Sequence, residues 1–299
     1  MLWGIDLGGT KIECAVIESK ENLNVIHRQR IATEGHLGYD HIVSNIVRLI
    51  NMVKNETGFV PAHIGIGTPG TIEPSTRLMK NCNSTALNGR PLQDDLEKIL
   101  GFPVTMANDA NCFALAEANF GSVQEKAPHA EVVFGVIMGT GVGGGIVVNG
   151  KIINGRHGIG GEWGHNFLDE SGGNCYCGRV GCVETIISGP FLQRYYTSLS
   201  GVELSLPQIT ENYYKGDDEA AKKTMQRLLH FFGKAIAPII NILDPDAIVI
   251  GGGVGNIDLL YTEGREEIKK YLFNPVLDTL ILKPSLGDSA GVFGAALLQ

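Results

Sequence analysis

No stretch of this sequence reaches the roughly 18 to 20 uninterrupted apolar residues of a membrane helix. The longest candidate, residues 235–243, is broken by Pro238 and Asn241. Clusters of lysine or arginine are missing too, and the formal net charge is −8. Nothing therefore offers the basic footprint that a nucleic-acid backbone or an anionic membrane surface requires, and neither is expected as a partner. The opening residues, MLWGIDLGGTK, lack the basic region, apolar stretch and small-residue cleavage site of a secretory leader, so a cytoplasmic protein is expected. The Walker pattern G-x-x-x-x-G-K-[ST] is absent, as are low-complexity segments and obvious linkers. Cysteine is sparse, six in 299 residues, which in a reducing compartment argues against a disulfide framework.

What is present is an ordinary globular composition, long enough for about two domains with separate cores. Apolar strand-like runs cover residues 2–7, 12–17 and 25–31, with turns at Gly8-Gly9 and residues 19–24, and predict an antiparallel three-strand start. Ile42, Ile46, Leu49, Ile50 and Val53 recur at helical spacing, and a buried strand follows at 63–67. A strand near 104–107 precedes a helix over about 110–120. The pattern then restarts with the run 132–138, a glycine turn and a strand at 145–148. A long helix over about 219–243, a strand at 247–250 and a terminal helix near 290–298 complete the outline. Ile5-Asp6-Leu7-Gly8-Gly9-Thr10-Lys11 and Ile137-Met138-Gly139-Thr140-Gly141-Val142-Gly143 head the two halves alike. This predicts an internal duplication with a cleft between the halves.

Two stretches, GIGTPG from Gly65 and GTGVGG from Gly139, match G-x-G-x-x-G by letter. Neither opens a helix, so the dinucleotide reading fails at both. What remains is a glycine turn between strands, whose bare N–H groups can approach phosphate oxygens closely. One such turn is more often only a tight hairpin. Three of them, DLGGTK, GTGVGG and IGGGV, each after an apolar strand, favour phosphate binding.

Half the cysteines fall in one segment, GHNFLDESGGNCYCGRVGC. His165 with Cys175, Cys177 and Cys182 offers one imidazole and three thiolates, a usual tetrahedral zinc set. Four protein ligands leave no open position, so such a zinc is structural. Gly178 and Gly181 let the chain turn tightly around it. Cys14, Cys82 and Cys112 stand alone and read as small buried hydrophobes. His157 reads as a loop histidine rather than a fifth ligand. Asn108-Asp109 sits where a strand gives way to a helix, which makes Asp109 a candidate N-cap as well as a candidate base.

Together DLGGTK, Asp109 in ANDANC, GTGVGGG, the GEWGH and CxCGxxGCxE block and the IGGG turn resemble the ROK family of sugar kinases and repressors over essentially the whole chain. The resemblance implies an α/β, actin-like ATPase (duplicated ribonuclease H-like) fold with two domains flanking an active-site cleft. The expected boundaries are 1–107, joined by a C-terminal helix at 288–299, and 108–287 carrying the zinc segment. It implies an ATP-dependent sugar kinase using Mg2+ and a structural Zn2+, with Asp109 taking the proton from the attacking sugar hydroxyl. Gly70, Asn83, Asn108, Glu162, His165 and Glu184 would contact the sugar. Gly8, Gly9, Thr10, Lys11, Gly139, Thr140 and Gly141 would face the phosphates, Asp6 would lie near the magnesium, and Gly251, Gly252 and Gly253 would match the adenosine turn. A homodimer is also implied.

Within the family, NSTALNGRPL, GEWGHNF and NILDPDAIVIGGG resemble the bacterial fructokinase and mannokinase branch, so D-fructose, or D-mannose, is the expected substrate. The loop between His165 and Cys175 is shorter than in that branch. A glucokinase or N-acetylhexosamine kinase is the alternative. A sugar-responsive regulator is a remoter one, since no helix-turn-helix segment precedes the first glycine turn.

Overall fold

The computed structural model describes all 299 residues. Strands β1 (Leu2–Leu7), β2 (Lys11–Ile17) and β3 (Val25–Ala32) form the antiparallel start. Helix α1 (Tyr39–Thr57) follows, burying Ile42, Ile46, Leu49, Ile50 and Val53 on one face. It stops at Gly58, whose left-handed backbone (φ 73°) lets its N–H reach the Lys54 carbonyl. Strand β4 (Ile64–Thr68), the short hairpin β5 (Thr71–Ile72) and β6 (Met79–Lys80), helix α2 (Leu92–Leu100) and β7 (Val104–Asn108) come next. Helices α3 (Asp109–Asn119) and α4 (Ser122–Lys126) end this stretch.

The pattern then repeats with β8 (Val132–Met138), β9 (Val142–Val148) and β10 (Lys151–Ile152). Helices α5 (Glu184–Ile187), α6 (Gly189–Ser200), α7 (Leu206–Lys215) and α8 (Glu219–Leu243) lead to β11 (Ala247–Gly251). Helix α9 (Glu263–Lys269), strand β12 (Leu280–Leu282) and helix α10 (Ala290–Ala296) close the chain. Although α8 contains Pro238, it runs unbroken to Leu243, and no helix is long and apolar enough to cross a membrane.

Both five-stranded sheets are mixed and repeat one order, β3-β2-β1-β4-β7 and β10-β9-β8-β11-β12. In the first, β1, β4 and β7 run parallel; in the second, β8, β11 and β12 do. Strands β4 and β11 are buried at every residue; β11, AIVIG, accordingly reads as a continuous apolar run, whereas in β4 Ile64 and Ile66 alternate with Gly65 and Gly67.

The chain divides into two compact units, residues 1–129, 145–161 and 285–299, and residues 130–144 and 162–284. The first therefore extends well past residue 107. Its core is built on Trp3, Ile5, Ile12, Ile46, Leu49 and Ile64, all at 1% exposure or less, and each such side chain contributes roughly 1.5–3 kcal/mol by leaving water. A second cluster, Ala107, Cys112 and Ala295 with Ile152 and Leu298 against it, explains why α3 and residues 145–161 belong here rather than to the second unit. Helix α10 can lie directly on β1 and β4 because Gly4 and Gly65 face it: a methyl on either would strike the α10 backbone.

Candidate functional site

In the first unit the turn after β1 is tied down from outside. Gly8 N–H donates to the Lys11 carbonyl at 3.0 Å, and the Thr33 hydroxyl donates to the Gly8 carbonyl at 2.6 Å. Thr33 N–H also reaches the Thr10 carbonyl at 2.9 Å. Asp6, the last polar residue of β1, pairs in register with Glu13 on β2. Burial first, then the Asp109 and Glu13 carboxylates, push its pKa up to about 6; Lys11 and Arg30 act in the opposite sense. Asp6 and Asp109 are thus close enough to feel one another.

Asp109 is the first residue of α3, and the cap is Asn108. The Ala110 N–H is 2.8 Å from both Asn108 Oδ1 and Asp109 Oδ1. This corrects the expectation that Asp109 is the N-cap: Asn108 has the extended backbone a cap needs, and Asp109 has entered the helix.

Gly70 is required by packing. A methyl there would fall 2.5 Å from Cys82 Sγ and from the Lys80 carbonyl. In the loop that follows, Asn88 uses both ends of its amide on the Cys82 backbone, accepting from its N–H at 2.9 Å and donating to its carbonyl at 3.1 Å. Asn83 itself is exposed. His157 is exposed as well, 3.9 Å from Glu73, and takes no part in the metal cluster.

In the second unit the turn after β8 is held on three sides. Gly139 N–H donates to the Gly141 carbonyl at 2.9 Å, and Gly189 N–H donates to the Gly139 carbonyl at 2.9 Å. Val142 N–H donates to Glu184 Oε2 at 2.9 Å. The turn after β11 needs glycine at Gly252, whose φ is 81° and where a methyl would strike the Met138 backbone. The Tyr261 hydroxyl braces it, donating to the Gly255 carbonyl at 2.7 Å.

His165 ends a helical turn fixed by Trp163, whose indole N–H donates to the Gly143 carbonyl at 3.0 Å and whose ring stands edge-on to Phe134. The cysteines come from a tight double turn: Cys175 N–H reaches the Arg179 carbonyl at 2.8 Å and Gly181 N–H the Gly173 carbonyl at 2.8 Å. The four potential ligand atoms lie within 4.8 Å of one another. Cys175 Sγ is 3.6 Å from His165 Nδ1, and Cys177 Sγ is 3.6 Å from Cys182 Sγ. A tetrahedron with bonds of about 2.0–2.3 Å has edges of roughly 3.5–3.8 Å, so the set fits zinc. Nδ1 is the nitrogen turned toward the cysteines, while Nε2 lies 3.0 Å from the Tyr176 hydroxyl. Glu162, directly before the Trp163 turn, has its pKa raised by burial, with the Glu184 carboxylate adding to the rise and His165 opposing it.

Three features escaped sequence reasoning. Glu117 is fully buried and accepts from the N–H groups of Ser122, Ser285 and Leu286. Glu13, 1% exposed, pairs with Arg30 at 2.8 Å and Arg28 at 3.4 Å. Tyr176 orients His165. A glutamate on a helix buried nearly all round, and one in an otherwise apolar strand, were the available signals for the first two.

Duplicated mixed sheets headed by glycine turns, with a closed cluster of one histidine and three cysteines, define an α/β protein of the actin-like ATPase fold. A family model described as the ROK family matches residues 2–299. An N-acetyl-D-glucosamine kinase of Pasteurella multocida (strain Pm70) is 36% identical over 309 residues, covering 100% of this chain and 99% of the relative. Among solved structures, a ROK hexokinase from Thermus thermophilus matches with a TM-score of 0.88 at 29% identity, covering 99% of this chain and 97% of that one. A ROK family glucokinase from Streptomyces griseus, in complex with glucose and AMPPNP, matches at 0.79 and 28%, covering 99% and 98%. The chain belongs to the ROK family. The branch expected from the sequence is corrected: these curated relatives are N-acetyl-D-glucosamine kinases, not fructokinases.

Proposed function

We propose that this protein is an ATP-dependent kinase that transfers the γ-phosphate of ATP to a hydroxyl of N-acetyl-D-glucosamine. The observation that carries the reading is the full-length, 36% identity to an N-acetyl-D-glucosamine kinase. D-fructose, the substrate expected from NSTALNGRPL, GEWGHNF and NILDPDAIVIGGG, gives way to one arm of the alternative, a glucokinase or N-acetylhexosamine kinase.

The geometry supports each part of the chemistry. Asp109 takes the proton from the attacking hydroxyl; its place at the start of α3 fixes its position. Phosphoryl transfer has a loose transition state, so positioning and charge neutralisation matter more than a strong base. The turn Gly8, Gly9, Thr10 and Lys11, closed on itself by the Gly8 N–H, would face the phosphates with its remaining backbone and the Lys11 ammonium, and Gly139, Thr140 and Gly141, closed in the same way by the Gly139 N–H, form a second such turn. Magnesium, when bound with the nucleotide, neutralises phosphate charge, and Asp6 is the carboxylate suited to hold it. Gly251, Gly252 and Gly253 form the adenosine turn. His165, Cys175, Cys177 and Cys182 would hold a zinc that supplies structural bracing alone. Glu162, His165, Glu184, Asn83, Asn108 and Gly70 are the sugar-contact set, with Asn108 and Gly70 acting chiefly through the backbone they shape.

The test is ADP release with Mg-ATP across N-acetyl-D-glucosamine, N-acetyl-D-mannosamine, D-glucose, D-mannose and D-fructose. N-acetyl-D-glucosamine is expected to give the highest kcat/KM. An equal or higher value for D-fructose or D-glucose overturns the assignment of substrate, and no turnover of any of the five overturns the kinase reading.

A further inference from the structure

The zinc segment and the second glycine turn are joined by one side chain. Glu184 stands two residues beyond Cys182 and opens α5. The residue is only 9% exposed, and its carboxylate accepts from Val142 N–H at 2.9 Å, at the exit of the turn 139–141. A methyl on Gly141 would sit 2.6 Å from Glu184 Oε2, so the turn has been shaped around this oxygen. Just beyond that short helix, at the first residue of α6, Gly189 N–H donates to the Gly139 carbonyl at 2.9 Å. The turn is thus gripped at both ends by the segment that leaves the metal cluster.

We infer that Glu184 is a positioning residue for the nucleotide phosphates: it holds the turn 139–142 in its phosphate-binding shape through the Val142 N–H. This rests on the reading of that turn as a phosphate turn, and it gives Glu184 a task separate from any contact with sugar. The physical reason is that a glycine-rich turn has many backbone conformations available, and only an outside contact selects one. An acceptor oxygen on Val142 N–H fixes the exit of the turn. The Gly189 contact fixes its entry. A carboxylate does this better than a neutral acceptor, since its hydrogen bond is charge-assisted, but the task requires only an oxygen at that place.

The claim separates from sugar binding if nucleotide affinity is measured without sugar. Mg-ADP binding to the zinc-loaded protein is followed by calorimetry for wild type, Glu184→Ala, Glu184→Gln and Gly141→Ala, with zinc content and melting temperature recorded for each. Glu184→Ala is expected to weaken Mg-ADP by about tenfold, the equivalent of one charge-assisted hydrogen bond. Glu184→Gln, whose amide oxygen can still accept from Val142, stays within about threefold of wild type. Gly141→Ala, which displaces the carboxylate without altering the zinc ligands or α5, follows Glu184→Ala and keeps the proposal testable should Glu184→Ala fail to fold. Wild-type affinity in both alanine variants overturns the proposal, and so does a glutamine variant as weak as alanine. Failure of wild type itself to bind Mg-ADP would instead sink the kinase reading. Absence of sugar turnover with intact Mg-ADP binding would leave this inference standing.

Discussion

Replacing Glu117 by alanine should destabilise the protein more than any substitution suggested by its motifs. The side chain is fully buried, and its two oxygens accept from three backbone N–H groups: Ser122 at 2.9 Å, Ser285 at 3.2 Å and Leu286 at 3.1 Å. It therefore ties α3, which carries Asp109, to the chain entering α10. Each buried N–H left without an acceptor costs about 1–3 kcal/mol. Ser285 is exposed, so water can replace its partner, whereas Ser122 is buried and Leu286 half-buried. Two unsatisfied groups set the loss at about 2–6 kcal/mol. At roughly 2–4 °C per kcal/mol, the melting temperature should fall by about 10 °C. Glu117→Gln keeps one acceptor oxygen but turns an NH2 toward a remaining N–H, and should lose about half as much. Differential scanning calorimetry reads all of this, with Glu125→Ala on the surface of α4 as a control expected within about 0.5 kcal/mol. A fall of less than about 2 °C for Glu117→Ala would refute the reasoning.

Asp109→Asn should lower kcat by about 10²–10⁴ while Mg-ADP and sugar still bind, since it removes the base and keeps the size; near-normal turnover removes Asp109 from that role. Elemental analysis should find one zinc per chain, and Cys177→Ser should lose it together with thermal stability. Thiol titration at pH 8 after zinc removal should find Cys177, the one exposed thiol, fast, and Cys14, Cys82 and Cys112 slow, because burial pushes Cys14 and Cys82 up to about 12 and Cys112 well above the ordinary range; fast labelling of any of these three contradicts this. Asp6 has its pKa raised to about 6, so the folded state binds its proton more tightly than the unfolded chain does. Its contribution is favourable below about pH 4 and is lost as pH rises through 6. Without magnesium, Asp6→Asn should accordingly raise the melting temperature at pH 8 but not at pH 4, and equal shifts at both values would refute the assignment.

The sheet framework was legible because buried parallel strands leave unmistakable apolar runs: residues 247–250 were readable as a strand, and β11 is buried throughout. The metal cluster was legible for a different reason, since one histidine and three cysteines within a few turns of chain have few other uses together. The unit boundary was not. It depends on long-range contacts such as Cys112 with Ala295, which no local pattern announces. The expected sugar rested on the likeness of the loop 81–92, GEWGHNF and NILDPDAIVIGGG to the fructokinase and mannokinase branch, whereas the full-length relative is an N-acetyl-D-glucosamine kinase. In the structure Asn81 adopts a left-handed turn (φ 57°) and Asn88 is occupied with the Cys82 backbone, so these two asparagines serve the shape of the loop. Substrate choice rests on a few polar contacts, and similar loops can serve different hexoses.

Three carboxylates crowd the head of the first sheet, and the fold treats them differently. Glu13 is neutralised by Arg30 and Arg28 and accepts from the Ser289 hydroxyl at 3.1 Å. Asp109 lies in the first turn of α3, where the Ala110 N–H reaches its Oδ1. Asp6 receives the opposite treatment: burial and both neighbouring carboxylates raise its pKa to about 6, so at neutral pH it is ionised at a cost in stability. A purely structural role would be better served there by asparagine, which has the same shape without the charge. Such a cost is relieved by a bound cation, and the adjoining turn, Gly8 to Lys11, is the one proposed to face the phosphates. A carboxylate that wants a cation beside a turn that wants phosphate is the arrangement a magnesium-nucleotide complex satisfies on both sides at once.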